Sequence, residues 1–136
     1  MFVVSKKNPK KVLGAICKYK DISFKRKNVS PIKEFLQAST QKLKKNFSIK
    51  SHVHLKNERK VKLTQELWLV MQGKISVQIF DIDKKKIKSF FLEKGDFYIL
   101  YHGGHSFKVL SKEAIFIEIK NGPYNPKLKD IRYLKK

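Results

Sequence analysis

From Leu67 to Lys120 the chain is a close succession of short apolar or alternating runs separated by tight turns, with no helical stripe among them. This constrains the fold more than any other feature. Leu67 to Met71 is apolar throughout, and Gln72-Gly73 makes a turn. Ile75, Val77 and Ile79 then alternate with Ser76, Gln78 and Phe80. The two-residue period places one set of side chains on each face of a strand. Asp81 to Lys86 and Lys94-Gly95-Asp96 read as turns, and His102-Gly103-Gly104 as a loop. Between and after them, strands are predicted over 87–92, 97–101, 106–110 and 114–120, with Asn121-Gly122-Pro123 ending the sheet region. Several strands of this length joined by Gly, Asp and Asn turns define an all-β sandwich or barrel.

The first half is less regular. Val12 to Tyr19 predicts a strand, 20–31 a weakly extended connection, and 34–43 fits neither period. Phe47, Ile49, Ser51 and Val53 alternate with Ser48, Lys50, His52 and His54, which is a strand pattern. Residues 1–11 read as a flexible basic arm, with an edge strand as the other option. The length, 136 residues, suits one domain with a real core. There is neither an internal repeat nor a low-complexity linker.

The formal charge is +21, from 32 basic against 11 acidic residues. Only Arg26, Arg59 and Arg132 are arginines, and the other 29 basic residues are lysines spread along the chain. A nucleic-acid footprint concentrates on one face and favours arginine, so a lysine-rich solvated surface is the better account. Nucleic acid is an unlikely partner, and attraction of anionic small molecules remains open. A single cysteine, Cys17, excludes an internal disulfide framework. No apolar run reaches the roughly 18 residues of a membrane span, and no targeting segment is convincing. A cytoplasmic protein without membrane insertion is expected.

Four histidines carry the chemical interest: His52, His54, His102 and His105. On a strand, His52 and His54 project from one face. His102 and His105 flank a Gly-Gly loop, and Glu66 begins the long apolar strand. Two same-face imidazoles, a carboxylate and a third imidazole from a distant strand could bind zinc, iron, nickel or manganese. The plainer reading is a His-x-His pair facing solvent, a hairpin-tip histidine and a solvated glutamate.

At this point the spacing resembles the small single-domain cupins, metal-binding β-barrels built on two motifs. The first motif maps onto Asn46, His52, His54, Glu66 and Gly73, with Asn46 in place of a glycine and a long gap from His54 to Glu66. The second maps onto Gly95-Asp96, Gly103 and His105, with Tyr101 at the usual proline position. Thr64-Gln65-Glu66, Gly103-Gly104-His105-Ser106-Phe107 and Ile117-Glu118-Ile119-Lys120-Asn121-Gly122-Pro123-Tyr124 are similar to segments of cupin metalloproteins from bacterial surface-polysaccharide and sugar-nucleotide gene clusters.

The resemblance implies a cupin-type double-stranded β-helix, or jelly-roll barrel, over 12–133, with its core at about 35–124 and a tail at 134–136. It implies a divalent metal ion (Zn, Fe, Ni or Mn) held by His52, His54, Glu66 and His105, with His102 as the rival loop ligand. His102 and Tyr101 are candidate acid-base residues, and Tyr98, Trp68, Tyr124 and Glu118 are candidates for binding substrate. The implied function is action on, or binding of, a sugar or sugar nucleotide in polysaccharide biosynthesis, with isomerisation or epimerisation as candidate chemistry. The alternatives are an iron-dependent cupin dioxygenase and a non-enzymatic module binding nucleic acid or an anionic ligand through its basic surface. A small-molecule substrate, carbohydrate or phosphorylated, and a homodimer formed through an N-terminal strand at 12–19 are the expected partners.

Overall fold

The computed structural model describes residues 1–123 and 131–134. Ten strands follow one another: β1 (Phe2–Val4), β2 (Val12–Cys17), β3 (Lys25–Asn28), β4 (Ser39–Lys42), β5 (Glu66–Gln72), β6 (Lys74–Phe80), β7 (Lys86–Glu93), β8 (Phe97–Leu100), β9 (Gly104–Val109) and β10 (Ile115–Lys120). A single 3₁₀ turn, Tyr19–Asp21, is the sole helical element among the described residues. All pairings between strands are antiparallel. They form a five-stranded sheet in the order β1-β2-β8-β5-β10, a three-stranded sheet β7-β6-β9 and a two-stranded ribbon β3-β4.

The alternation in the sequence explains the layering. In β6, Ile75, Val77 and Ile79 are fully buried, while Ser76, Gln78 and Phe80 are only half-buried. They pack with Leu92 against Leu13, Ile16, Trp68, Val70, Tyr98 and Leu100 of the five-stranded sheet, so these two sheets enclose the main core. The opposite face of the five-stranded sheet offers Ala15, Phe97, Ile99 and Tyr101, covered by Val29, Leu36 and Ala38 from the β3–β4 region. Residues of β8 therefore serve both layers in turn, which is why all four of them are buried.

Two aspartates in turns tie this assembly together. Asp81, 3% exposed, accepts hydrogen bonds from Ser5 Oγ and from the backbone N–H groups of Lys6 (2.7 Å), Lys7 (3.2 Å) and Ile82 (2.7 Å). The loop between β1 and β2 is thereby fastened to the end of β6. Asp96 accepts from Lys18 Nζ (2.6 Å), Tyr19 N (2.9 Å) and Glu93 N (3.0 Å), fastening the β7–β8 turn to the end of β2.

The strands expected from Leu67 onward are all present, and residues 2–4 take the edge-strand option. The closed barrel is not. The three sheets are separate and open, so a cupin-type double-stranded β-helix, and with it membership in that family, is overturned. The physical reason lies in the stretch before β5. Asn46 adopts φ 67°, as a turn residue there would, but residues 47–54 form no strand, and Phe47, Ile49 and Val53 are 56%, 63% and 84% exposed. Alternation marks which face of a strand would be buried, yet a strand also needs a neighbour for its N–H and C=O groups. Among the described residues, no strand pairs with this lysine-flanked segment. The proposed dimer strand is also displaced: β2 lies between β1 and β8 and offers no free edge.

Candidate functional site

The polar centre of the molecule lies where β5, β8 and β10 of one sheet face β9 of the other. The cross-strand register builds most of it. Glu66 lies opposite Lys120 and Trp68 opposite Glu118 on β10, while Trp68 lies opposite Tyr98 on β8. Directly opposed residues on one face of an antiparallel pair bring their side chains together. Accordingly Lys120 Nζ contacts Glu66 Oε1 at 2.9 Å and Glu118 Oε1 at 3.1 Å. Trp68 Nε1 donates to Glu118 Oε2 at 2.9 Å.

His105 enters from β9, where it pairs with Ile79 of the three-stranded sheet. Gly103, at φ 80°, makes the preceding turn. A side chain there would run into the carbonyl of Phe80, so the chain passes at a distance only glycine permits. The His105 ring stacks on Trp68 with centroids 4.2 Å apart and planes 16° from parallel. Its Nε2 lies 3.2 Å from Glu66 Oε2. Phe107 and Phe116 meet Trp68 at 5.2 and 5.8 Å and extend the aromatic wall.

The electrostatics follow from these contacts. The hydrogen bond from His105 holds the Glu66 carboxyl below its ordinary value; burial opposes this, and Lys120 reinforces it. The Lys120 ammonium is raised, chiefly by its hydrogen bond to Glu66. Burial pushes the Tyr98 phenol well up, with the Glu66 charge adding to the effect. Two buried polar atoms here, Tyr98 Oη and His105 Nδ1, have no hydrogen-bond partner among the described residues. The Tyr98 and His105 rings are 6.2 Å apart. Buried polar atoms are nearly always paired, and two orphans in one place call for an explanation.

Of the residues singled out in the sequence, Glu66, His105, Trp68, Tyr98 and Glu118 come together here. The others do not. His52 and His54 are exposed on the strandless segment, their rings T-shaped with centroids 5.2 Å apart, and His52 Nδ1 lies 3.0 Å from the Lys50 carbonyl oxygen. His102 lies elsewhere, with Nε2 3.3 Å from Glu34 Oε1. Tyr101 belongs to the second core. Its hydroxyl donates to Ser30 Oγ at 2.9 Å, and burial pushes it up to about 12. Tyr124 lies outside the described residues. Lys120 was missed as a site residue, although it shares the parity of Phe116 and Glu118 along β10.

The metal-binding assignment fails on this geometry. Among the described residues no group of three or more His, Cys, Asp and Glu side chains is placed to hold a metal ion. The two donors that do meet, Glu66 and His105, engage each other, and the Lys120 ammonium beside Glu66 opposes a cation. The four expected ligands, His52, His54, Glu66 and His105, are therefore not gathered into a centre for zinc, iron, nickel or manganese. The sugar-nucleotide and polysaccharide assignment rested on the same resemblance and is overturned with it, as is the cupin dioxygenase alternative.

No protein-family model, no curated protein and no solved structure matches the chain. No helix among the described residues is long and apolar enough to cross a membrane.

Proposed function

We propose that the protein binds a small hydroxyl-bearing molecule at the His105 site. The observation that carries this reading is the pair of unpartnered buried atoms, Tyr98 Oη and His105 Nδ1. A ligand hydroxyl meets both needs, accepting from the phenol and donating to the imidazole. The contact with Glu66 orients the ring so that Nε2 carries the proton and Nδ1 is free as a base. Trp68, Phe107 and Phe116 supply an apolar wall for the carbon skeleton of such a ligand. The reading keeps two expectations from the sequence, a cytoplasmic protein and a homodimer. Ile115, Ile117 and Ile119, exposed along the edge strand β10, support the second.

The test is a titration of the full chain with a set of small alcohols, diols and phenols, followed by nitrogen NMR of the imidazoles. At least one of them is expected to shift His105 Nδ1 saturably. Tyr98→Phe is expected to weaken that binding by about three- to tenfold, the value of one hydrogen bond. No saturable shift across the set, or undiminished affinity in both Tyr98→Phe and His105→Gln, removes the reading.

A further inference from the structure

A cavity of about 450 Å³ lies apart from the His105 site. Lys10, Lys11, Lys33 and His102 line it together with Asn8 and Glu34. Three lysines thus line one space of the size that small-molecule sites occupy. Glu34 offsets one of their three positive charges and leaves a surplus of two, and both of its oxygens are held in place. Glu34 Oε1 is 3.3 Å from His102 Nε2, and Glu34 Oε2 accepts from Gln65 Nε2 at 2.6 Å.

Buried polar side chains fasten both walls of this cavity. On one side Lys10 and Lys11 sit in the β1–β2 loop that Asp81 holds. Ser5 N donates to the Lys11 carbonyl at 3.0 Å, Lys11 N to the Asn8 carbonyl at 2.9 Å, and Asn8 N to Ser5 Oγ at 2.9 Å. On the other side, Lys33 and Glu34 belong to a turn closed by Glu34 N donating to the Pro31 carbonyl at 3.1 Å. Gln65, 1% exposed, secures that turn: besides bonding Glu34, its Oε1 accepts from Leu36 N at 2.7 Å. The Gln65 backbone N–H is itself bonded to Asn121 Oδ1 at 2.9 Å. The positions of the lysine-bearing backbone are therefore set before any ligand arrives, which lowers the cost of binding.

We propose that this cavity binds the phosphate group of a small phosphorylated molecule through Lys10, Lys11 and Lys33. Lysine binds phosphate as a point charge, and three of them around one concave space balance a dianion. A concave site differs from the extended basic stripe that a nucleic-acid backbone requires. The inference does not depend on the His105 site, and the variants below leave that site untouched.

The test compares three full-length proteins titrated calorimetrically with pyrophosphate at physiological salt: wild type, Lys10→Ala/Lys33→Ala, and Lys56→Ala/Lys60→Ala. The last pair removes the same charge from exposed positions that do not line the cavity. Saturable binding by the wild type, weakened about tenfold or more by the first double variant and less than about twofold by the second, supports the site. Equal weakening in both variants reduces the effect to general charge attraction and overturns the proposal, as does the lack of saturation. A parallel titration with single-stranded oligothymidylate separates the two sources of phosphate. Loss of oligothymidylate binding alone in the cavity variant assigns the site to a nucleic-acid backbone and also overturns the proposal. Far-ultraviolet circular dichroism checks that all three proteins are folded.

Discussion

Four carboxylates do unlike work within this chain. Glu66 and Glu118 meet the Lys120 ammonium at the polar centre, whereas Asp81 and Asp96 accept backbone N–H groups and hold turns against distant elements. For Asp81, burial alone would raise the carboxyl. The Ser5 hydroxyl and the N–H groups of Ile82, Lys7 and Lys6 outweigh it, and the carboxyl lies below its ordinary value. A lowered folded value means that the carboxylate stabilises the native state above the 3.8 of a free aspartate, and that this contribution is lost as pH falls through the lower folded value. Asp81→Asn is accordingly expected to cost about 2 kcal/mol near neutral pH. The gap between variant and wild type in urea unfolding should narrow as pH falls below 3.8. A gap that is the same at neutral and acid pH would show that the charge contributes nothing. The sequence marks Asp81 only as a turn residue. Its partners, Ser5, Lys6 and Lys7, lie at the far end of the chain, and no local pattern announces a contact across that separation.

Strands β5 to β10 were legible because each is a short apolar or alternating run bounded by a turn, and the core they form reads directly from the buried parity of Ile75, Val77 and Ile79. The 47–54 segment has the same period and forms no strand, since the period says nothing about a partner. The site was half legible for a related reason. Glu66, Trp68, Tyr98, Glu118 and His105 fall on inward parities of paired strands, so topology unites them. His52 and His54 share a parity with each other but belong to no sheet. The β8–β9 connection depends on one residue, Gly103, whose positive φ and closeness to the Phe80 carbonyl leave no space for a side chain. Gly103→Ala is expected to destabilise the fold by at least about 1 kcal/mol. It should also move His105 relative to Trp68, which the ring-current shift of the imidazole protons would report. An unchanged shift and an unchanged melting temperature would mean that the loop repacks without cost.

Across the whole molecule, three open sheets leave edges that a closed barrel would not. Edge strand β10 presents Ile115, Ile117 and Ile119, each about half exposed, beside the half-buried Leu67 and Leu69 of β5. An apolar edge of this kind is a template for further pairing. Sedimentation velocity is expected to give the mass of two chains for the wild type and of one for Ile117→Lys, with circular dichroism unchanged. A wild type that sediments as one chain over the micromolar range would remove the homodimer. The large positive charge gives an independent check, since like-charged copies attract less at low salt and the apolar edge should associate more strongly as salt is raised.

Gln65 and Glu66 are neighbours in the chain but serve different places: the amide braces the Glu34 turn, and the acid meets His105. Successive side chains of an extended segment point to opposite sides, so a one-residue shift in the register of this segment could serve at most one of the two places. Moved one way, it would set Glu66 at the Glu34 turn and Leu67 before His105; moved the other, Gln65 before His105 and Thr64 at the turn. The phase of this dipeptide against the sheet therefore couples the two places, and neither can change its register alone.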